Sequence, residues 1–343
     1  MSSAESLALA TRSSAALTIQ GLRVDFPTPR GVAHVLNGVD LSVEPGQVVG
    51  LVGESGSGKS VTASTAMGIL RPPGKVVGGA IRFFGRSLQN LSAEELRSLR
   101  GSQLTMVVQN ARAAFNPLLT IGRQLRTIYR ANLDLDRGQA DAHAREMLIS
   151  VAFPDPDRIL ASYPHQLSGG MLQRVQLAAA LGTSAKLVLA DEPTTGLDPT
   201  IQVEILDLFI SMIRSSQTAT LLITHDLGIV ASYCDVVAVM HAGVVVENAP
   251  VEAFFARPSH PYSAGLLNGV RGVEDALAVE GSPPDLTHLP SGCTYRTRCP
   301  LAIDVCAQID PPLAPIETRA RHAASHDVKC HRWRDVRSLE GHG

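Results

Sequence analysis

An apolar run followed at once by a glycine- and serine-rich turn constrains this chain more than any other feature of its sequence. Residues 48–52, VVGLV, suit a strand that is buried on both faces of a parallel sheet. The next residues, GESGSGKS at 53–60, allow successive backbone N–H groups to converge on an anion, and the small residues that follow suit a helix. Strand, glycine loop and helix in this order predict a phosphate-binding loop.

Within this loop the lysine and the serine after it have separate expected roles. Lys59 would reach the β- and γ-phosphates of a nucleotide, and the Ser60 hydroxyl would bind Mg²⁺. The residues predicted to contact the nucleotide here are Gly53, Ser55, Gly56, Ser57, Gly58, Lys59, Ser60 and Val61.

A second apolar strand supplies carboxylates of the kind that phosphoryl transfer needs. Residues 187–190, LVLA, lead directly into Asp191 and Glu192. We expect Asp191 to lie beside Mg²⁺ and Glu192 to polarise the attacking water as a general base.

Apolar strands alternate with helical patterns over most of the chain, which predicts an α/β sheet. Short strands are expected within 17–53, a strand pair at 75–85, buried strands at 186–190 and 220–224, and a hairpin at 235–250. Helical patterns cover about 90–182, with a cap at Ser92, and about 200–214. Prolines become frequent after about residue 250, where we place a boundary.

Composition excludes several classes of protein. The 343 residues suit one large domain with an appendage, or two domains. With 45% hydrophobic residues there is enough material for a sizeable core, and a net charge of −2 lacks the surplus of Lys and Arg that sequence-indifferent nucleic-acid binding needs. We expect no nucleic-acid partner. Since there is neither a secretory signal nor an apolar run of about 18 residues, we expect a cytoplasmic chain that reaches a membrane only through a partner.

The order of the motifs resembles the ATP-binding cassette (ABC) family, the ATPase subunits of transporters. GESGSGKS, Gln109, LSGGM, LVLADEP, TTGLD and ITHD follow one another within residues 17–250. The resemblance implies an α/β fold, namely a P-loop NTPase core with an antiparallel β subdomain and an inserted helical subdomain at about 90–182. It also implies a small cysteine-rich C-terminal extension at 251–343.

Further site residues follow from the same resemblance. Gln109 would contact Mg²⁺ and the attacking water, and Glu192, His225 and Gln109 would be the catalytic residues. Asp198 would lie in a segment that crosses a dimer interface. The residues that would bind the γ-phosphate of the opposite subunit's nucleotide are Ser168, Gly169 and Gly170. The adenine ring would stack on an aromatic residue ahead of the loop, with Phe26 as the first candidate and His34 as the second.

Four of the five cysteines lie near the C-terminus, at Cys293, Cys299, Cys306 and Cys330. Their spacings, Cys-x5-Cys, Cys-x6-Cys and Cys-x23-Cys, lack the paired Cys-x2-Cys knuckles of zinc ribbons. Four thiolates can hold a four-iron four-sulfur (4Fe-4S) cluster, and some proteins with a similar tail resemble cluster-binding proteins. Zinc and unmetallated thiols remain open, and the additional candidate ligands are His322, His326 and His331.

Longer matches place the resemblance in the oligopeptide and dipeptide importers, a branch that includes some nickel importers. They are GESGSGKSVTAS, FNPLLTIGRQL, LSGGMLQRV, RPSHPYSAGLL and GCTYRTRCPLAIDVC. The resemblance implies an ATPase subunit, with ATP and Mg²⁺, peripheral at the cytoplasmic face of the membrane. Its partners would be a second cassette subunit, two transmembrane permeases and an extracytoplasmic peptide-binding protein. For the cassette pair we favour a heterodimer with a related subunit, and a homodimer remains open.

Other functions remain open at this point. The same machinery could import nickel or another small solute. A soluble ABC ATPase of translation or DNA repair belongs to a different class, as does a redox-sensing protein in which the cysteine-bearing tail is the functional part. Residues 116–120, NPLLT, would meet the membrane subunit of a transporter.

Overall fold

The computed structural model describes residues 15–272, 277–316 and 325–339, which form two compact units. The first unit takes in the described residues of 1–42, 48–87 and 224–343, and the second takes in 43–47 and 88–223. Each unit combines strands with helices, which agrees with the predicted α/β class.

The strands of the described residues are, in chain order, β1 (Leu17–Thr28), β2 (Gly31–Val43), β3 (Val48–Val52), β4 (Lys75–Phe83), β5 (Arg86–Ser87), β6 (Leu104–Val107), β7 (Leu187–Asp191), β8 (Ala219–Ile223), β9 (Val236–His241), β10 (Val244–Pro250), β11 (Ala314–Pro315) and β12 (Asp327–Val328).

The helices are α1 (Lys59–Ala66), α2 (Ala93–Leu99), α3 (Ala111–Ala114), α4 (Ile121–Asn132), α5 (Arg137–Ser150), α6 (Pro156–Ala161), α7 (Gly169–Leu181), α8 (Pro199–Ser216), α9 (Leu227–Tyr233), α10 (Val251–Ala256), α11 (Pro261–Arg271), α12 (Asp304–Gln308) and α13 (Trp333–Leu339), with a 3₁₀ turn at Pro164–Gln166.

One sheet of the first unit has the strand order β2, β1, β4, β5. Strands β1 and β4 are antiparallel, with Leu17 opposite Phe83 and Ile19 opposite Ile81. All four of these side chains are buried. Because alternate residues of a strand point to the same face, this register gives the sheet one apolar face.

The other strands of the first unit follow the order β11, β12, β10, β9, β3. Strand β3 runs parallel to β9, with Val49 opposite Val236, and all five β3 residues are buried. Strands β9 and β10 are antiparallel, which confirms the predicted hairpin. The carboxyl end of β3, where the glycine loop begins, is therefore set by a fully buried strand.

The second unit contains the parallel strands β6, β7 and β8. Strand β7 lies between its two neighbours, with Leu187 opposite both Leu104 and Ala219. Strand β6 corrects the prediction of helix throughout about 90–182. An apolar stretch of four residues is too short for periodicity to separate strand from helix, so sheet pairing decides it.

Local signals set several helix starts. Ser92 accepts a hydrogen bond from the Glu95 N–H and Glu95 reaches back to the Ser92 N–H, which forms a capping box ahead of α2, at the predicted cap. Asp136 and Gln139 form the same arrangement ahead of α5. In the described parts of the chain, no helix is both long enough and apolar enough to cross a bilayer.

Candidate nucleotide-binding site

The glycine loop joins the buried strand β3 to helix α1 in the first unit. Gly53 has a φ of +152°, and a Cβ placed there would overlap the carbonyl oxygen of Met240. Gly58, with a φ of +108°, would bring a Cβ to 2.8 Å from Leu36 Cδ2. These two positions require glycine because both the backbone angle and the space exclude a side chain. The loop is fastened to the β9–β10 turn by the Gly243 N–H, which donates to the Ser57 carbonyl at 2.9 Å.

The loop lysine lies across the turn that it belongs to. Lys59 Nζ donates to the carbonyl oxygens of Gly53 at 2.7 Å and Glu54 at 2.9 Å. Its side chain is buried, whereas Ser55, Gly56 and Ser60 are exposed. A buried ammonium beside an exposed run of glycine and serine at a helix N-terminus is an arrangement suited to binding phosphate. The structure therefore brings the predicted loop residues, from Gly53 to Val61, together in one turn.

Two of the predicted catalytic residues meet in the second unit. Gln109 Nε2 donates to Glu192 Oε2 at 3.0 Å, and Thr195 Oγ1 donates to the same oxygen at 2.7 Å. Asp191 ends strand β7, opposite Ile223 of β8. Glu192 follows with a φ of +44°, a left-handed conformation that is costly for a residue with a side chain.

The predicted serine–glycine motif opens helix α7 in the second unit. Ser168 is the N-cap, and its Oγ accepts a hydrogen bond from the Met171 N–H at 3.3 Å. Ser168 and Gly169 are exposed, and Gly170 is partly exposed. Asp198 caps helix α8 in the same way, through the Thr200 N–H at 3.0 Å. Both motifs thus act as helix caps, and their roles in binding nucleotide and at a dimer interface stay predictions.

His225 and the adenine candidates belong to the first unit. His225 is exposed and precedes Asp226, which caps helix α9. Phe26, in β1, is half-buried, and its ring fills the space beside Gly74. His34 Nδ1 lies 2.8 Å from Asp25 Oδ1, and the backbone N–H of His34 donates to the Leu286 carbonyl.

Sequence reasoning missed the residues that surround the start of the loop. Arg298 pairs with the Glu54 carboxylate at 2.7 and 2.9 Å, which holds the pKa of Glu54 below its usual value. Tyr262 Oη accepts a hydrogen bond from the Glu54 N–H at 2.9 Å. His241 lies against Tyr262 with ring centroids 4.9 Å apart, and burial lowers the pKa of His241 to about 4. The sequence carried no signal for these contacts.

A cavity of about 170 Å³ adjoins the same part of the loop. It is lined by Glu54–Ser57, His241, Ala242, Pro283, Pro284 and Leu286. Among the described residues, neither ring nitrogen of His241 has a hydrogen-bond partner. The residues after 277 therefore contribute a wall beside the phosphate-binding loop.

Three of the C-terminal cysteines, Cys293, Cys299 and Cys330, have raised pKa values. Burial is the main cause: it raises the pKa of Cys293, and it raises the pKa of Cys299 to about 11 and that of Cys330 to about 12. The neighbouring thiols also raise the pKa of each of these three groups. The Arg332 backbone N–H donates to Cys330 Sγ at 3.3 Å. Even so, residues 15–272, 277–316 and 325–339 contain no group of three His, Cys, Asp or Glu placed to hold a metal ion.

The alternative histidine ligands are engaged elsewhere. His326 Nε2 lies 2.7 Å from Glu247 Oε1, and both side chains are fully buried. His331 Nε2 lies 3.0 Å from the Ile309 carbonyl oxygen. His322 lies outside the described residues. The partly buried Cys234 packs against the apolar core of the first unit.

Comparison with known proteins agrees with the geometry. The ABC transporter family matches residues 36–195, and the family described as the oligopeptide/dipeptide transporter C-terminal region matches residues 246–306. The oligopeptide transport ATP-binding protein OppD of Salmonella typhimurium is 41% identical over 299 residues, which cover 86% of this chain and 89% of the relative. The dipeptide transport ATP-binding protein DppD of Bacillus subtilis is 40% identical over 319 residues, 92% of this chain and 93% of the relative.

Solved structures share the fold. The dimeric ATP-binding cassette MJ0796, bound to ADP and Pi, has a TM-score of 0.62 at 23% identity and covers 68% of this chain and 98% of its own. The protein cbiO1 from Clostridium perfringens has a TM-score of 0.61 at 26% identity and covers 76% of this chain and 98% of its own. The fold is thus the α/β P-loop fold of ABC ATPases. From its motifs, its loop geometry and these relatives, the chain belongs to the ABC transporter family, among the oligopeptide and dipeptide transport ATP-binding proteins.

Proposed function

We propose that this chain is the ATP-hydrolysing subunit of a bacterial importer that powers the uptake of di- and oligopeptides across the cytoplasmic membrane. The hydrogen bond between Gln109 and Glu192 carries the assignment of hydrolysis, because it joins two residues predicted to act on the attacking water. The functions of the relatives, oligopeptide and dipeptide transport, support the cargo. Nickel or another small solute is the alternative cargo, and a soluble ABC ATPase is the less favoured class.

The chemistry follows from the residues of the loop and the strand ends. Lys59 and the loop N–H groups bind the phosphates of ATP, and Glu192 accepts a proton as the water oxygen attacks the γ-phosphorus and the bond to ADP breaks. Ser60, Gln109 and Asp191 offer the hard oxygen ligands that Mg²⁺ prefers. When bound, Mg²⁺ neutralises negative charge on the phosphates. His225 holds the γ-phosphate, and Phe26 provides a surface for the adenine ring.

A second cassette completes the site in this proposal. Ser168, Gly169 and Gly170 bind the γ-phosphate held by the partner, and Asp198 lies at the shared interface. Support comes from the exposure of Ser168 and Gly169 at the start of α7, since the N-terminus of a long helix attracts anions. We propose a heterodimer with a related subunit, with a homodimer as the alternative.

The membrane partners are two permeases, which receive peptide from an extracytoplasmic binding protein. A rigid turn supports this docking. Gln124 Oε1 accepts the Asn116 N–H at 2.8 Å and Asn116 Oδ1 accepts the Leu118 N–H at 2.9 Å, so that Leu118 is held with 82% of its surface exposed. An apolar side chain presented by a fixed polar turn suits a partner surface. The chain is accordingly peripheral at the cytoplasmic face of the membrane.

We also propose that residues 251–343 form a small cysteine-rich extension in which Cys293, Cys299, Cys306 and Cys330 hold a 4Fe-4S cluster. Support comes from the backbone hydrogen bond that joins the Cys293 N–H to the Cys306 carbonyl at 2.8 Å, and from the Arg332 N–H, which donates to Cys330 Sγ at 3.3 Å, a contact that stabilises a metal-bound thiolate. The absence of paired Cys-x2-Cys knuckles argues against a zinc ribbon. When bound, such a cluster supplies one-electron redox chemistry.

Replacing Glu192 tests the proposed hydrolysis. Glu192→Gln should lower ATP turnover by at least about 100-fold, because general base catalysis is lost, while ATP binding is retained and a nucleotide-bound dimer accumulates. Glu252→Gln, at an exposed position of α10, is the matched control and should turn over normally. Turnover by Glu192→Gln at the wild-type rate would contradict the proposal. Peptide uptake into vesicles that contain the purified transporter tests the cargo.

Metal analysis tests the cluster. Protein purified without oxygen should contain about four iron and four acid-labile sulfide per chain, with a visible absorption band that Cys293→Ser removes. Cys234→Ser, in the core of the first unit, should keep the iron. Stoichiometric zinc, or four thiols that titrate freely in protein without metal, would contradict this part of the proposal.

A further inference from the structure

A residue of the cysteine-bearing segment reaches the phosphate-binding loop. Arg298, which directly precedes Cys299, donates from Nη1 to Glu54 Oε2 at 2.7 Å and from Nη2 to Glu54 Oε1 at 2.9 Å. Glu54 is the second residue of the loop, and 244 positions separate the two partners. The bidentate geometry fixes both the distance and the orientation of the carboxylate.

The surroundings of Arg298 show that this pair, which we name the Arg298–Glu54 clamp, is rigidly built. Arg298 Nε donates to the Glu280 carbonyl at 2.8 Å, and Nη2 also donates to the Gly281 carbonyl at 3.2 Å. The Arg298 side chain is only 4% exposed. The Arg298 guanidinium donates both to the Glu54 carboxylate and to these backbone carbonyls. It therefore cannot move without breaking several hydrogen bonds at once.

Glu54 is held through its backbone as well. Its N–H donates to Tyr262 Oη at 2.9 Å, and the Tyr262 ring lies 5.3 Å from that of Tyr295. The Arg298 guanidinium in turn lies 5.9 Å from the centre of the Tyr295 ring. Helix α11 thus contacts the backbone of Glu54, and the cysteine-bearing segment contacts its side chain.

The charge of Glu54 matters because of where it lies. The residue belongs to the loop proposed to bind the phosphates, and its carbonyl oxygen accepts a hydrogen bond from Lys59 Nζ. An uncompensated carboxylate at this position would repel a polyphosphate and compete for Lys59. Arg298 supplies the compensating positive charge, at an angle fixed by the fold.

We propose that Arg298 is a positioning residue of the nucleotide site, through which the cysteine-bearing C-terminal segment sets the affinity of the phosphate-binding loop for ATP. The inference rests on the proposed function, because it assumes that ATP binds in this loop. Since coupling between two sites is reciprocal, ATP binding also stabilises the segment around Arg298.

Equilibrium binding separates this role from simple anchoring. In the full-length Glu192→Gln chain, the Kd for ATP with Mg²⁺ is measured by calorimetry. Adding Arg298→Ala should raise the Kd about tenfold, within the usual range of coupling between sites. Adding Arg298→Lys should give an intermediate Kd, because lysine restores the positive charge but cannot make the two parallel hydrogen bonds of the guanidinium group.

The decisive variant removes the carboxylate as well. In the Arg298→Ala background, adding Glu54→Gln should recover most of the affinity for ATP that Arg298→Ala loses, because no unpaired carboxylate remains. Arg296→Ala is the matched control, since Arg296 belongs to the same segment but donates to the Ser291 carbonyl instead, and it should leave the Kd unchanged.

Hydrogen exchange provides a second readout. Amides of residues 293–306 should exchange more slowly when Mg²⁺ and ATP are added, and this protection should be lost in Arg298→Ala and kept in Arg296→Ala.

Two results would overturn the inference while leaving ATP binding intact. One is an unchanged Kd in Arg298→Ala and Arg298→Lys. The other is a weakened Kd that Glu54→Gln does not recover, together with a lower melting temperature, which would make Arg298 only an anchor of the tail. Failure of the parent chain to bind any ATP would instead contradict the proposed function, and the inference with it.

Discussion

At the scale of single residues, the phosphate-binding loop depends on backbone angles that only particular residues adopt. Gly53 combines a positive φ with the carbonyl oxygen of Met240 in the place of a Cβ. Glu192 also has a positive φ, and it carries a full side chain, at a cost of about 1–3 kcal/mol. The motifs predicted roles for Gly53 and Glu192 in a nucleotide site, and the structure adds that the backbone of Glu192 is strained.

Replacing the first loop glycine should damage both the fold and the site. Gly53→Ala forces a backbone shift at the end of β3, so we expect a lower melting temperature and ATP binding weakened by at least about tenfold. Gly269→Ala is the control, because Gly269 is an exposed helical glycine where an added Cβ would meet nothing within 4 Å. That change should raise stability by about 0.5–1 kcal/mol. Equal melting temperatures for the two variants, measured by calorimetry, would contradict this interpretation.

At the scale of elements, short signals in the sequence decide where helices start. The capping box at Ser92 lies at the predicted position, since it needs only residues three apart. Strand β6 was missed because its four residues are defined by pairing with β7, a strand far along the chain that begins at Leu187. Local chemistry therefore predicts helix ends better than it predicts short buried strands.

The second capping box offers a direct test at this scale. Asp136 Oδ1 accepts the Gln139 N–H at 2.9 Å, and Gln139 Oε1 accepts the Asp136 N–H at 2.8 Å. Asp136→Ala should lower the free energy of unfolding by about 1 kcal/mol, as measured by urea denaturation. Asp134→Ala, two residues earlier and outside the cap, should change it by less than about 0.5 kcal/mol. A larger effect at Asp134 than at Asp136 would argue against the cap.

At the scale of the whole molecule, buried polar groups join distant parts of the first unit. Glu247 in β10 is fully buried and accepts the N–H groups of Ser259 and His260, each at 2.8 Å. Its Oε1 also lies 2.7 Å from His326 Nε2. One carboxylate thus fastens the residues after β10 and the last part of the chain to the same strand.

Removing the Glu247 carboxylate should strongly destabilise the fold. Glu247→Ala leaves several buried donors unpaired, so we expect a loss of about 3–5 kcal/mol in the free energy of unfolding. The substitution should also speed proteolytic cleavage after residue 326, and mass spectrometry of the fragments measures this. Glu252→Ala, at an exposed position nearby, is the control and should change neither. Wild-type stability in Glu247→Ala would show that the network is dispensable.

The buried histidine beside the loop makes stability depend on pH. Burial first, and then the charge of Arg298, lowers the pKa of His241 from 6.5 to about 4, while the charge of Glu54 opposes the shift. Between these values the unfolded chain binds more protons than the folded one, so the stabilisation is complete above pH 6.5 and is lost as the pH falls toward 4. The loss from this group is on the order of 3 kcal/mol.

Melting temperatures across this window test the assignment. They should fall between about pH 7 and pH 4, and His241→Phe should make the fall shallower, because the aromatic contacts with Tyr262 and Tyr295 remain while the titrating group is gone. Burial also lowers the pKa of His260, to about 3, so this residue preserves part of the pH dependence of stability in His241→Phe. His288→Asn, at an exposed site, should leave the slope as in the wild type. An unchanged slope in His241→Phe would contradict the assignment.

The sequence by itself determined the phosphate-binding loop, the carboxylates at the end of β7 and the family. These features are contiguous, and their chemistry lies in residues a few positions apart. Only the tertiary structure decided that Arg298 pairs with Glu54, that His326 pairs with Glu247 and that Glu192 adopts a left-handed conformation. A contact across 244 residues depends on how every intervening element packs, and no local pattern of residue types records the outcome.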